Sequence, residues 1–270
     1  MPYARISNRH RLYYDEVLPG LKTGSPEPVI FLHGFTLDRR MWQSQATFFG
    51  QRYRVLVPDA RGHGLSDAPE TGYSRVDRVE DLSQFVDRLG IDRFHLVGLS
   101  MGGSTALAYA RNHQTRLASL TLVSTSVAGA DLGLKIDRVD RMVRERGLEA
   151  ARKVWMKHAL IYYGEHQRSI RELVKTMMTE HSGAPWLDSM RGRYPSPGND
   201  LEWVSQISIP TAVFVGSEDK LFVPLARELA ERLPDSRLFE YECVGHMLNL
   251  ELSDRFNHDL GAFLDEVIAP

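Results

Sequence analysis

The sequence predicts an α/β protein built on a mostly parallel sheet. Three observations carry that prediction. Short apolar runs rich in β-branched and aromatic residues recur along the chain, each stopped by Gly, Pro or Asp. Helical patterns of roughly 10–20 residues lie between most of them, as parallel strands require. One long stretch without strand character then interrupts the alternation.

The elements follow in order. Tyr3–Ile6 and residues 11–17 flank polar residues 7–10 and predict a leading antiparallel hairpin. The apolar runs are 29–33, 54–58, 94–99, 117–124, 211–215 and 238–244, with helical patterns at 76–89 and 103–113. From about residue 128 to 205 no strand pattern occurs, while 134–146, 148–163 and 169–181 each carry apolar residues at spacings of three and four. Gly147, Gly164, Gly183 and Pro185 punctuate them. A structureless loop of roughly 80 residues is implausible in a compact domain. The stretch therefore reads as a helical lid, which divides the chain into a core of 1–127 and 206–270 and a lid of 128–205.

Composition narrows the class. The 270 residues are 43% hydrophobic and 25% charged, as in an ordinary globular protein. A net charge of -2 gives no electrostatic argument for nucleic acid or an anionic membrane as partner. A single cysteine, Cys243, excludes an intrachain disulfide framework and a Cys-based metal cluster, and reads as a small buried hydrophobe. The first ten residues lack a signal-peptide core, and no run reaches the 18 or so apolar residues of a membrane span. A cytoplasmic monomer or homodimer acting on a small molecule is the expectation.

The sharpest chemical signal is Gly98-Leu99-Ser100-Met101-Gly102, a G-x-S-x-G pattern placed after a strand and before a helix. A tight strand-to-helix turn forces its central residue into an unfavourable backbone conformation and needs small neighbours. The Ser100 hydroxyl then sits at a helix N-terminus, where unpaired N–H groups favour developing negative charge. A plain structural Gly/Ser turn is the bland alternative. G-x-G-x-x-G spacing is absent here, so a dinucleotide loop is not indicated.

A serine hydroxyl needs a base, and the base needs an orienting acid. For a nucleophile on such a turn the chain order is serine, acid, histidine. His246 follows the last strand after Gly245, and Asp219 follows the preceding strand in Gly216-Ser217-Glu218-Asp219. Both are expected at the carboxyl edge of the sheet, beside Ser100. Glu218 is the rival acid, pointing the other way if extended structure continues that far. His33-Gly34-Phe35 ends an earlier strand, and an oxyanion hole needs two backbone N–H groups, assigned here to Phe35 and Met101.

Together with Asp59-Ala60-Arg61-Gly62-His63-Gly64, these motifs resemble the α/β-hydrolase fold superfamily. The likeness runs from about residue 10 to the end, the lid apart, and is strongest to small lidded carboxylesterases and 3-oxoadipate enol-lactonase-like hydrolases. The resemblance implies an eight-stranded sheet, a lid inserted after the sixth strand, no metal and no organic cofactor. Serine at position 100 separates the chain from haloalkane dehalogenases and epoxide hydrolases, which use a carboxylate nucleophile.

The expected activity is that of a carboxylesterase on a small-molecule ester or lactone. Enol-lactonase and C–C bond hydrolase are the alternatives with the same triad, and a receptor-like protein keeping the pocket is the alternative of another class. Trp155, Tyr162, Tyr163 and Trp186 are candidate substrate-binding residues in the lid, although each taken singly is more often core packing. A carboxylate-bearing substrate would draw on Arg138, Arg141, Arg191 or Arg193. Residues 59–64 read as a structural turn, and His10, His95, His113 and His166 as surface or satisfied histidines.

Overall fold

The structure is a computed structural model and describes residues 3–6, 10–19, 27–130, 136–157, 168–188 and 198–268. The leading hairpin is β1 (Tyr3–Ile6) and β2 (His10–Val17), antiparallel with Tyr3 opposite Tyr13. β2 also lies antiparallel to β4 (Val55–Pro58), and every later pairing is parallel. β3 (Val29–Leu32), β5 (Phe94–Leu99), β6 (Leu117–Val123), β7 (Thr211–Gly216) and β8 (Ser236–Tyr241) complete eight strands in the order β1-β2-β4-β3-β5-β6-β7-β8.

β4, β5, β6 and β7 are buried along their whole length, which is why they read as continuous apolar runs rather than alternating ones. Alternate side chains feed two cores. Phe31, Val57, Leu99 and Phe214 pack with Phe49 of α1 (Gln43–Phe49) and with Phe256 and Leu260 of the C-terminal helix Ser253–Ile268. Ile30, Leu56, Leu96 and Val215 pack on the other face with α2 (Arg75–Arg88), α3 (Met101–His113) and the helix Val223–Arg232. A capping box of Ser74 and Asp77 starts α2.

Between β6 and β7 the described residues form α4 (Ile136–Arg146), α5 (Leu148–Trp155), α6 (Arg168–Glu180), α7 (Ala184–Leu187) and two short 3-10 turns. Val143, Trp155, Met177 and Trp186 from this insert join the first of the two cores. The remaining α-helices among the described residues are α8 (Val223–Arg232), α9 (Leu248–Glu251) and α10 (Ser253–Ile268). No helix among the described residues is long and apolar enough to cross a membrane.

Three local expectations are corrected. β8 starts at Ser236 and stops at Tyr241, because Cys243 adopts φ 60° and turns the chain out of the strand. That same turn exposes Cys243, which the sequence reading placed in the core. α3 begins two residues before the helical pattern does, since Ser100 occupies its N-cap and Met101 its first turn.

Candidate active site

Ser100 joins β5 to α3 with φ 54° and ψ -108°, a conformation that side-chain-bearing residues rarely hold. Its backbone is tied down on both sides: the N–H donates to Val123 O at 2.9 Å, and the carbonyl accepts Ser104 N–H at 2.9 Å. The flanking glycines are steric necessities. A Cβ on Gly98 would stand 2.4 Å from Gly102 O, and one on Gly102 would stand 2.2 Å from Leu32 O. The G-x-S-x-G spacing is thus the imprint of a helix start pressed against two strand ends. Met101 N–H belongs to the first turn of α3, where no intrahelical acceptor exists.

Asp219 and His246 arrive from beyond the ends of β7 and β8. His246 Nδ1 lies 2.7 Å from Asp219 Oδ2, with the two residues 5% and 2% exposed. A carboxylate only accepts hydrogen bonds, so Nδ1 carries the proton and Nε2 is left as the basic nitrogen. The two loops interlock: Glu218 N–H donates to Val244 O at 2.9 Å and Cys243 N–H to Ser217 Oγ at 3.0 Å. The Phe222 ring lies 4.6 Å from the imidazole. Behind the histidine, Glu251 accepts Gly245 N–H at 3.1 Å, and burial raises its carboxyl above the usual carboxylate range. Glu218 turns outward and pairs with Lys220 at 3.3 Å. The reason is a turn closed by Asp219 N–H to Gly216 O, not the continued strand alternation that the sequence suggested.

Phe35 follows β3 on a short loop held by its neighbours. His33 Nδ1 lies 2.8 Å from Gly34 O, and its Nε2 lies 2.9 Å from Ala60 N. The backbone N–H can only donate, so Nε2 is the acceptor and Nδ1–H reaches Gly34 O. Because the Gly34–Phe35 peptide is trans, Phe35 N–H points away from His33. Thr36 then takes φ 63°, and its hydroxyl donates to Phe35 O at 2.6 Å.

Ser100, His246, Phe35 and Met101 all line one cavity of about 210 Å³. Leu37, Leu99, Trp155 and Met247 give it apolar walls, while Arg61, Tyr73, Arg78 and Ser104 give it a polar side. Of the candidate substrate-binding residues, Trp155 reaches the cavity. Trp186 is fully buried behind it, edge-on to Phe35 at 5.7 Å, and is not among its lining residues. Tyr162 and Tyr163 lie outside the described residues, as do Arg191 and Arg193.

Among the described residues the cations that face the cavity are Arg61 and Arg78, both from the core, and sequence reasoning gave neither that place. Arg61 is paired with buried Asp81, whereas Arg78 donates to Thr105 Oγ1 and Tyr73 O, each at 3.0 Å. Only their three-dimensional placement marks them. His63, also on the wall, has its pKa pushed well below the ordinary value by burial and stays neutral. Asp59 is a hub, accepting Arg39 N–H at 2.8 Å, Leu65 N–H at 2.9 Å and the Arg39 guanidinium at 2.9 Å. Among the described residues no cluster of three or more His, Cys, Asp or Glu side chains could hold a metal ion.

Comparisons with known proteins agree with the fold. The model of the alpha/beta hydrolase family matches residues 29–259. A 3-oxoadipate enol-lactonase of Acinetobacter baylyi is 25% identical over 244 residues, covering 88% of this chain and 89% of the relative. A 2-hydroxy-6-oxononadienedioate/2-hydroxy-6-oxononatrienedioate hydrolase of Burkholderia vietnamiensis is 28% identical over 276 residues, covering 94% and 91%. The solved structure of a thermophilic esterase from Thermogutta terrifontis, with malate bound, superposes with a TM-score of 0.85 at 26% identity, covering 100% of this chain and 98% of that one.

Proposed function

The chain belongs to the alpha/beta hydrolase family, and from that premise we propose that it is a serine hydrolase of carboxylic esters working through an acyl-enzyme on Ser100. The observation that carries this reading is the meeting of Ser100, on its strained turn, with the buried Asp219–His246 pair at one cavity. His246 Nε2 takes the Ser100 proton as the hydroxyl oxygen attacks the ester carbonyl, and Asp219 stabilises the imidazolium. The oxyanion is received by the N–H groups of Phe35 and Met101. His246 then protonates the leaving alkoxide, and a water deprotonated by His246 releases the acid and restores Ser100.

The cavity supports small to medium substrates. At about 210 Å³ it falls below the roughly 300–1,000 Å³ of sites that enclose drug-sized ligands. The test is hydrolysis of p-nitrophenyl acetate, butyrate and octanoate by the wild type and Ser100→Ala. Turnover of the short esters, lost by a factor on the order of 10⁴–10⁶ in the variant, is the expected result. Turnover that survives in Ser100→Ala would overturn the nucleophile assignment.

A second reading keeps the triad and changes the bond. The similarity to an enol-lactonase and to a C–C hydrolase favours it, together with the cationic side of the cavity. An anionic enol-lactone turned over much faster than a neutral butyrate ester would select it. Ligand-induced thermal stabilisation without any turnover would instead favour a receptor.

A further inference from the structure

Trp155 is the last residue of α5 and is 5% exposed. A buried indole N–H needs an acceptor, and that of Trp155 finds it in the core: Nε1–H donates to Thr36 Oγ1 at 2.8 Å, across 119 positions of sequence. Its ring also meets Phe35 edge-on, with centroids 5.6 Å apart.

The acceptor is unusual. Thr36 is β-branched and holds φ 63°, a region such residues avoid because Cβ crowds the backbone. Something outside the loop must hold it there. The Thr36 hydroxyl accepts from Trp155 and donates to Phe35 O at 2.6 Å, so indole, hydroxyl and carbonyl form one directed chain. On the other side, His33 holds Gly34 O at 2.8 Å. The peptide that carries Phe35 N–H is thus held from the core by His33, and the one after it from the insert by Trp155 through Thr36.

We propose that Trp155 is a positioning residue through which the insert, once seated, completes the oxyanion-binding loop by its indole N–H bond to Thr36. The inference rests on the reading that Phe35 N–H receives the oxyanion. It makes the insert part of the catalytic geometry as well as part of the pocket wall. A wall alone acts mainly on substrate binding, whereas loop geometry acts on the transition state.

Trp155→Phe keeps an aromatic face and removes the donor. With p-nitrophenyl butyrate its kcat should fall about tenfold, the equivalent of one lost hydrogen bond, with KM within about twofold. Phosphorylation of Ser100 by diethyl p-nitrophenyl phosphate should slow in parallel. In that step Ser100 Oγ bonds to phosphorus, p-nitrophenolate leaves, and His246 takes the proton. Thr36→Gly supplies positive φ without strain and removes the hydroxyl. In that background Trp155→Phe should therefore have no further effect on kcat.

An equal kcat loss in both backgrounds, or a rise in KM with kcat untouched, overturns the proposal. Melting the four proteins tests the contact without turnover: Trp155→Phe should lower Tm beside Thr36 and not beside Gly at that position. Equal losses there also overturn it. A wild type that neither hydrolyses the ester nor reacts with the phosphate would sink the serine-hydrolase reading and this inference together. Turnover without coupling would sink this one alone.

Discussion

Asp200 and Arg75 are joined by two parallel hydrogen bonds, Nη1 to Oδ2 at 2.6 Å and Nη2 to Oδ1 at 2.8 Å, where the insert returns to the core. The same Asp200 Oδ2 accepts Ala128 N–H at 2.8 Å, and Asp200 N–H donates to Ala128 O at 3.0 Å. One fully buried carboxylate therefore ties both ends of the insert to the first turn of α2. Asp200→Ala leaves a guanidinium and a backbone N–H without their acceptor. A loss of about 2–4 kcal/mol in urea unfolding is expected. A change below about 0.5 kcal/mol would mean that this carboxylate does not hold the neck.

His33 sets a second prediction. An asparagine amide at position 33 places its nitrogen near the Nδ1 of the native ring, and a glutamine amide places its polar end near Nε2. His33→Asn keeps the donor to Gly34 O, and His33→Gln loses it. The kcat for butyrate ester should drop on the order of 10²-fold in His33→Gln and less than about tenfold in His33→Asn. Steady-state kinetics on the two variants decides, and equal losses would count against His33 as the residue that aims Phe35 N–H.

The acid assignment is tested by a pair of neighbours. Asp219→Asn removes the acceptor that keeps the proton on His246 Nδ1, and kcat should fall on the order of 10⁴-fold. Glu218→Gln changes only a surface pair with Lys220 and should leave kcat within about twofold. The reverse pattern would exchange their roles.

Acid should weaken the fold through its buried histidines. Burial lowers His95 from 6.5 to about 4, and His63 falls well below 6.5 for the same reason. Both are neutral in the folded chain, while the unfolded chain binds their protons near pH 6.5. The unfolded state therefore gains protons first as pH falls. Stability is full above about 6.5 and declines from there toward pH 4, His95 alone contributing a loss of roughly 3 kcal/mol by pH 4. Urea unfolding at pH 7, 5.5 and 4.5 measures it, and a flat profile would contradict the assignment.

Much of the site could be read from the chain because its signals are local. Gly98 has no room for a Cβ because Gly102 O, four residues on, stands in its way, and Gly102 has none because Leu32 O at the end of β3 does. Asp219 and His246 stand just beyond apolar runs, and their order matches the strand order. Where local pattern and local geometry part, the reading failed. Cys243-Val244 continues an apolar run, yet Cys243 turns left-handed and ends the pairing, a change that periodicity does not register. Trp155 and Trp186 looked alike in sequence, and one lines the cavity while the other is packed behind Phe35.

The sequence by itself determined the parallel sheet, the strained serine turn and the two residues that meet behind it. Hydrophobic period, glycine placement and chain order are properties of short segments, and short segments carry them intact. The tertiary structure alone decided what surrounds the serine. Thr36 beneath Trp155, Arg78 from α2 and the Asp200 staple each depend on segments far apart in the chain lying side by side. Such contacts are chosen by the packing of the two cores against the sheet, and no spacing along the chain encodes them.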